Sequence, residues 1–150
     1  MSAVLSLGSN LGNRRALLRA AVAHLQPYAV SSLWETVPVG GVEQDDYLNL
    51  VALVEADATL AWELAEQAER AAGRLRDVRW GPRTLDIDVV LAPPPVPAGL
   101  CVPHPRAHER AFVLAPWAEV DPGADLPGHG PVAALLAAVG TTGVRRVGAL

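Results

Sequence analysis

The chain has 150 residues, which suits a single domain, and 51% of them are hydrophobic, which excludes an intrinsically disordered protein. Its formal net charge is −4 and all 12 basic residues are arginines, so we expect no broad basic face for nucleic acid. The N-terminus lacks a signal peptide and the one cysteine, Cys101, excludes an internal disulfide, so we expect a cytoplasmic protein. The most apolar run, Val89–Val102, contains four prolines and cannot be a membrane helix.

The first predicted elements are a strand and a helix. Residues Ala3–Leu7 form an apolar run typical of a short buried strand, and a Gly-Ser-Asn segment ends it. A helix capped by Asn10 or Asn13 follows, because apolar residues recur at helical spacing: Leu17, Leu18, Ala21, Val22 and Leu25.

Two strands and a second helix are predicted next. Val30–Thr36 is expected to be extended, Val37–Asp46 to be a loop, and Tyr47–Glu55 to be a strand rich in Val and Leu. Asp57 or Thr59 can cap the helix. The apolar stripe of this helix is predicted to be Leu60, Leu64, Ala68 and Ala71. Gly73 is predicted to end the helix.

The rest of the chain predicts a strand between irregular segments. An arginine-rich loop, Arg74–Arg83, leads into a strand over Thr84–Leu91, and a proline-rich connection, Ala92–Val102, follows. A helical turn is predicted at Glu109–Leu114 and a short helix at Pro131–Val139, with a glycine just past its end. The order indicates one α+β domain over residues 1–150, with a ferredoxin-like βαββαβ antiparallel sheet, helices on one face and a C-terminal helical tail.

The most informative motif is the segment Arg79–Asp88, RWGPRTLDID. Alternate side chains of a strand share a face, so Asp86 and Asp88 point the same way. Two carboxylates about 7 Å apart along a strand repel each other unless a cation compensates them. Mg²⁺ prefers such oxygen ligands together with phosphate oxygens. A solvated polar face on an edge strand is the alternative, and Trp80 and Arg83 just upstream favour a metal site.

Two further segments suggest ligand binding. His104 lies between two prolines that stiffen the backbone, and the arginines after it suit a phosphate-bearing ligand, although a surface loop is also possible. Tyr47 and Asn49 share one strand face after the loop that begins at Thr36. An aromatic ring beside an amide can stack on a flat heterocycle and bond its edge, although a plain loop with a packed tyrosine fits equally.

Along nearly its whole length the sequence resembles the 6-hydroxymethyl-7,8-dihydropterin pyrophosphokinase family. The resemblance is densest in four blocks, of which the last two are highly specific in combination: Ser6–Arg14, Trp34–Asn49, Gly73–Asp88 and Val102–Phe112. It implies a ferredoxin-like fold and transfer of pyrophosphate from ATP to the hydroxyl of 6-hydroxymethyl-7,8-dihydropterin. The products would be AMP and the pterin diphosphate, in a step of folate biosynthesis.

The same resemblance implies roles for individual residues. Two Mg²⁺ ions would be held by Asp86 and Asp88, with ATP as co-substrate. The catalytic residues would be Arg83, Asp86, Asp88, His104 and Arg110. The pterin pocket would be lined by Thr36, Val37, Val39, Tyr47, Asn49, Trp80 and Phe112. ATP would be bound by Arg74, Arg76, Arg83, His104 and Arg110.

The loop Gly73–Arg79 is expected to close over bound ATP, because its three arginines repel one another until a polyanion is present. We expect a monomer whose partners are these two small molecules, with no nucleic acid and no membrane.

Three other functions fit parts of the sequence. A non-catalytic ligand-binding or regulatory domain could share the fold, but would not require paired aspartates facing a His-Arg segment. An RNA-binding domain of similar topology would need a basic face and strand aromatics, whereas the charge is acidic and Phe112 is the only phenylalanine. A metal-dependent phosphohydrolase could use the same aspartates and would release free phosphate instead of AMP.

Overall fold

A computed structural model describes residues 2–10, 12–36, 47–74 and 85–150. The first half of the chain forms β1 (Ala3–Ser9), α1 (Arg14–Leu25), β2 (Ala29–Val30), β3 (Leu33–Thr36), β4 (Tyr47–Val54) and α2 (Ala58–Arg74). The second half forms β5 (Asp86–Leu91), a 3-10 turn (Ala107–Glu109), α3 (Ala111–Val120), β6 (Asp125–Leu126), β7 (Gly130–Pro131), α4 (Val132–Val139) and β8 (Val144–Gly148).

The main sheet has the strand order β5-β1-β4-β3-β8, and every neighbouring pair is antiparallel. The short strand β2 also pairs with β4, so the single extended segment predicted over Val30–Thr36 is interrupted by Ser31 and Ser32. Strands β1 and β4 lie inside the sheet, and both are buried on both faces along nearly their whole length. This arrangement confirms the predicted ferredoxin-like topology.

Helices α1 and α2 cover one face of the sheet and enclose the first of two apolar cores. The α1 stripe is buried largely as predicted, through Leu17, Leu18, Ala21 and Leu25. Of the alternative caps, the structure uses Asn13, which accepts a hydrogen bond from Ala16 N at 3.1 Å. Helix α2 is capped by Asp57, whose Oδ1 accepts a hydrogen bond from Leu60 N at 2.8 Å.

The predicted apolar stripe of α2 was wrong except at Ala68. The helix buries a row of alanines, Ala58, Ala61, Ala65, Ala68 and Ala72, whereas Leu60 is 43% exposed, Ala71 is exposed and Leu64 packs only at the margin. Small side chains let the helix approach α1 and the sheet closely, so the larger leucines lie at the side of the contact. The helix also continues through Gly73 to Arg74, so Gly73 lies within it and does not end it.

The C-terminal helices cover the opposite face of the sheet, so the tail completes a second apolar core. The helical turn predicted at Glu109–Leu114 is the start of a ten-residue helix, α3, which continues through Pro116. Its fully buried Trp117 fills the centre of this core. The run AFVLAPWAEV is almost uniformly apolar, so it shows no helical period that would reveal its length.

Strand β8 was not predicted from the sequence. It forms the edge of the main sheet against β3, and Val147 and Leu150 pack on the first core. Within the described residues, no helix combines the length and the apolar character needed to cross a bilayer.

Candidate active site

One face of the sheet carries a row of residues in register across four strands. Asp86 of β5 pairs with Gly8 of β1, Gly8 pairs with Asn49 of β4, and Asn49 pairs with Trp34 of β3. Residues directly opposite on antiparallel strands share a face, and neighbouring strands are about 4.8 Å apart. We call these four residues the polar row; it lies on the face that α3 also covers.

Asp86 and Asp88 share this face, as their spacing predicted. The residues that alternate with them, Leu85, Ile87 and Val89, are buried in the first core on the other side. Asp88 pairs with Ser6 of β1, and its side chain is 47% exposed. Both carboxylates are therefore held by an edge strand that pairs with the buried strand β1, and neither is fully buried.

The segment after β5 returns to the same strand and brings His104 beside it. The backbone N–H of His104 donates to the carbonyl oxygen of Val90 at 2.8 Å. Arg106 N donates to His104 Nδ1 at 3.2 Å, so the neutral ring carries its proton on Nε2. That N–H can donate to an anionic oxygen.

The charge state of His104 follows from its surroundings. Partial burial lowers its pKa below the ordinary value of 6.5. Asp88 opposes this shift, whereas Arg110 and Arg106 add to it. The ring is therefore neutral at pH 7, and activity that depends on the neutral ring would be lost only as the pH falls through the lowered pKa.

We expect NMR titration of the metal-free protein to give a His104 pKa below 6.5. Asp88→Asn should lower the pKa further, because it removes a negative charge that raises it, and Arg110→Gln should raise the pKa. Shifts in the opposite directions would contradict the assigned surroundings of the ring.

Arg110 and Phe112 enter the site at the beginning of α3. Arg110 precedes the helix in an extended conformation, and its guanidinium lies 3.9 Å from Asp88 Oδ2. The same guanidinium lies over the Phe112 ring, 5.6 Å from its centroid. A cation over an aromatic face is attracted to it, so Phe112 helps to orient Arg110 towards the aspartates.

Asn49 is held in the middle of the polar row. Its Nδ2 donates to Thr36 Oγ1 at 2.6 Å, and the residue is 3% exposed. A Cβ atom at Gly8 would lie 3.0 Å from Asn49 Oδ1 and 3.7 Å from the Tyr47 ring. The missing side chain at Gly8 therefore leaves room for the amide and the ring to lie over β1. The importance of Gly8 was missed, because the Gly-Ser-Asn segment was expected to end the strand, whereas β1 continues to Ser9.

The described residues thus bring together Thr36, Tyr47, Asn49, Asp86, Asp88, His104, Arg110 and Phe112 on one face. Five other predicted site residues lie outside the described residues: Val37, Val39, Arg76, Trp80 and Arg83. The Arg74 side chain and nearly all of the loop Gly73–Arg79 also fall outside them, so their roles and the closure of the loop remain predictions.

The donor set at β5 fits a magnesium ion. Among the described residues, no three His, Cys, Asp or Glu side chains form a metal-binding group. Mg²⁺ does not need one, because it is commonly bound by one or two carboxylates together with substrate phosphates and water. Two accessible aspartates on one strand face meet that requirement.

Comparisons with known proteins show which family the chain is similar to. Residues 4–122 match the family described as 7,8-dihydro-6-hydroxymethylpterin-pyrophosphokinase. The 2-amino-4-hydroxy-6-hydroxymethyldihydropteridine pyrophosphokinase of Mycobacterium bovis is 47% identical over 154 residues, covering 89% of this chain and 81% of the relative. Proteins of the same name from Bacillus subtilis and Methylorubrum extorquens are 44% and 37% identical. They cover 79% and 97% of this chain and 77% and 98% of their own lengths, respectively.

Solved structures share the fold at much lower identity. A variant of Plasmodium falciparum HPPK-DHPS with pterin and p-hydroxybenzoate has a TM-score of 0.70 at 14% identity, covering 97% of this chain and 47% of that one. An HPPK-DHPS in complex with substrates has a TM-score of 0.69 at 11% identity, covering 97% and 46%. This chain spans about half the length of those solved chains, and the likeness concerns the fold alone. The match over residues 4–122, together with the three relatives, shows that the chain belongs to the 7,8-dihydro-6-hydroxymethylpterin-pyrophosphokinase family.

Proposed function

We propose that this protein transfers the pyrophosphoryl group of ATP to the hydroxyl of 6-hydroxymethyl-7,8-dihydropterin with the help of Mg²⁺. The observation that supports it most is the single face that carries both the paired aspartates and the His104–Arg110 segment. In the reaction the hydroxyl oxygen attacks the β-phosphorus of ATP and loses its proton. The bond from the β-phosphorus to the bridging oxygen breaks, and AMP leaves with that oxygen.

The protein's contribution is mainly positioning and neutralisation of charge, as in other phosphoryl transfers. Asp86 and Asp88 would hold two Mg²⁺ ions, which supply positive charge against the phosphate oxygens when bound. Arg110, 3.9 Å from Asp88, can reach the same phosphates. His104 would add an Nε2–H donor. Asp88 is a candidate for the general base by proximity alone.

The pterin would lie over β1 and β4. Asn49 and Thr36 offer hydrogen-bonding groups at the ring edge, and Tyr47 adds an aromatic surface beside Gly8. The Arg110 guanidinium lies over one face of the Phe112 ring. A stacked pterin would therefore lie against the other face of that ring. Val37, Val39 and Trp80 would complete the pocket, and Arg74, Arg76 and Arg83 would bind ATP phosphates.

We also propose that the chain works as a single-domain monomer in the cytoplasm. Large exposed hydrophobic residues in the described part of the chain are few and lie on separate elements: Tyr28, Leu60, Val96 and Val139. Such scattered residues need no partner to cover them.

Incubation with Mg-ATP and 6-hydroxymethyl-7,8-dihydropterin tests the proposal directly. We expect AMP and the pterin diphosphate in equal amounts, and no turnover when a chelator removes Mg²⁺. Release of free phosphate without pterin diphosphate would identify a phosphohydrolase instead. Binding of both ligands without any product would identify a binding domain.

A further inference from the structure

The last turn of α3 carries a carboxylate that is held by several donors. Glu119 Oε1 accepts hydrogen bonds from Ser32 N at 2.9 Å and from Trp34 Nε1 at 3.0 Å. Glu119 Oε2 accepts one from Ser32 Oγ at 2.6 Å, and Arg146 Nε lies 3.3 Å from it. Arg146 Nε also donates to Ser32 Oγ at 2.9 Å. We call these four residues the Glu119 network; it joins α3, β3 and β8.

The network keeps Glu119 ionised. Burial by itself raises the pKa of this carboxyl. The hydrogen bonds from Ser32 and Trp34, with Arg146, outweigh that effect and hold the pKa below its usual range. A charged acceptor forms stronger hydrogen bonds than a neutral one, so each donor is held in a defined position.

The network ends beside the proposed pterin pocket. Trp34 is the neighbour of Asn49 in the polar row, and Thr36 lies two residues further along the same face of β3. Within the described residues, Trp34 belongs to neither apolar core, unlike Trp117 and Trp62. The bond from its Nε1 to Glu119 therefore fixes the polar edge of a large ring that is not enclosed in either core.

The same helix connects the network to the other side of the pocket. Phe112 and Glu119 are seven residues apart in α3, so they lie on one helix face two turns apart. Phe112 contributes to the pocket at the start of the helix, and Glu119 fastens the last turn to β3. The separation between Phe112 and Thr36 thus depends on this attachment.

We propose that Glu119 is a positioning residue for the pterin pocket. It holds the Trp34 indole beside Asn49 and keeps α3, with Phe112, at a fixed separation from β3. Glu119 itself touches no substrate. The inference rests on the proposed function, because it assigns a determinant of pterin binding at the same site.

The first test is Glu119→Gln, which keeps the size of the side chain and removes its charge. We expect the Kd for the dihydropterin, measured by calorimetry with a non-hydrolysable ATP analogue, to rise about 5- to 20-fold. The affinity for the ATP analogue should change less than about twofold, since His104 and Arg110, the proposed ATP-binding residues in the described part of the chain, lie between β5 and α3, at the other end of α3 from Glu119. A merely structural role would weaken both ligands together.

Glu35→Gln is the matched control. Glu35 follows Trp34 on β3, and its Oε2 accepts a hydrogen bond from Arg145 at 2.7 Å across the same pair of strands. It points to the opposite face, towards α1 and α2, because it pairs with Leu48 of the first core. We expect Glu35→Gln to leave the pterin Kd unchanged. Equal losses in the two variants would overturn the inference.

A double variant tests whether Glu119 acts through the indole. Trp34→Phe retains an aromatic ring and removes the N–H donor, so it should also weaken pterin binding. Glu119→Gln with Trp34→Phe should bind no more weakly than Glu119→Gln alone, because both changes act on the same contact between residue 119 and the indole. Additive losses of pterin affinity in the double variant would contradict the inference. An unchanged pterin Kd in Trp34→Phe would contradict it as well, and this single variant can be measured even if Glu119→Gln folds poorly. A wild-type protein that forms no AMP would instead contradict the proposed function.

Discussion

Replacing Asp86 or Asp88 by alanine is expected to lower kcat by about a hundredfold or more while the protein stays folded. Both side chains lie on one face of β5 and reach solvent, so neither supports an apolar core. Loss of either carboxylate removes part of the oxygen donor set for Mg²⁺. When turnover is measured against Mg²⁺ concentration, each single variant should need more Mg²⁺ to reach half of its maximal rate. The double variant should show no turnover at any Mg²⁺ concentration.

The stability of these variants should move differently from their activity. Two carboxylates on one strand face repel each other without a cation, and in the described part of the chain Asp88 has a 3.9 Å contact with the partly exposed Arg110 in return. The Tm of the metal-free protein should therefore stay unchanged or rise slightly in Asp88→Ala. Such a gain at the expense of activity is common when functional groups are removed.

Asp125→Ala is a suitable control, since Asp125 is an exposed aspartate in the separate β6–β7 ribbon. It should retain wild-type turnover and the wild-type Mg²⁺ requirement. A folded Asp86→Ala, Asp88→Ala double variant with near-normal turnover would remove the aspartates from the proposed metal site.

The parts of the fold that could be predicted are those where local sequence and tertiary structure agree. The central strands are apolar runs, and α1 carries both its cap at Asn13 and its buried stripe in the expected places. The shared face of Asp86 and Asp88 also follows from strand alternation alone. Each of these features depends on residues that are near one another in the chain.

The features that were missed depend on packing between distant segments. The stripe of α2 is set by how closely that helix approaches α1, which favours alanines over the flanking leucines. β8 is a short edge strand with two adjacent arginines, whose partners Glu35 and Glu119 come from β3 and α3. The polar row requires the registers of three strand pairs, and a slip of one residue in any of them would turn its side chains to the other face.

Phe112→Ala is expected to weaken dihydropterin binding about 5- to 150-fold, because stacking of a planar base on an aromatic ring contributes roughly 1–3 kcal/mol. The affinity for ATP should change little. Calorimetric titration of the dihydropterin, with and without a non-hydrolysable ATP analogue, measures both effects.

Phe112 also packs against the second core, so truncation to alanine could weaken binding by loosening α3. Phe112→Leu separates the two causes. Leucine retains most of the apolar volume that supports Val113 and Leu114 in the core, but it lacks the flat face on which a pterin can stack. If stacking is the cause, Phe112→Leu should keep a Tm near that of the wild type and still lose most of the pterin affinity.

The contact between Arg110 and Phe112 adds a further expectation. Arg110 loses its aromatic partner in both variants, so kcat at saturating pterin should also fall. The decrease in kcat should be of similar size in Phe112→Ala and Phe112→Leu, whereas the loss of core packing differs between them. A leucine variant with wild-type pterin affinity would show that Phe112 supports the helix and does not stack on the substrate.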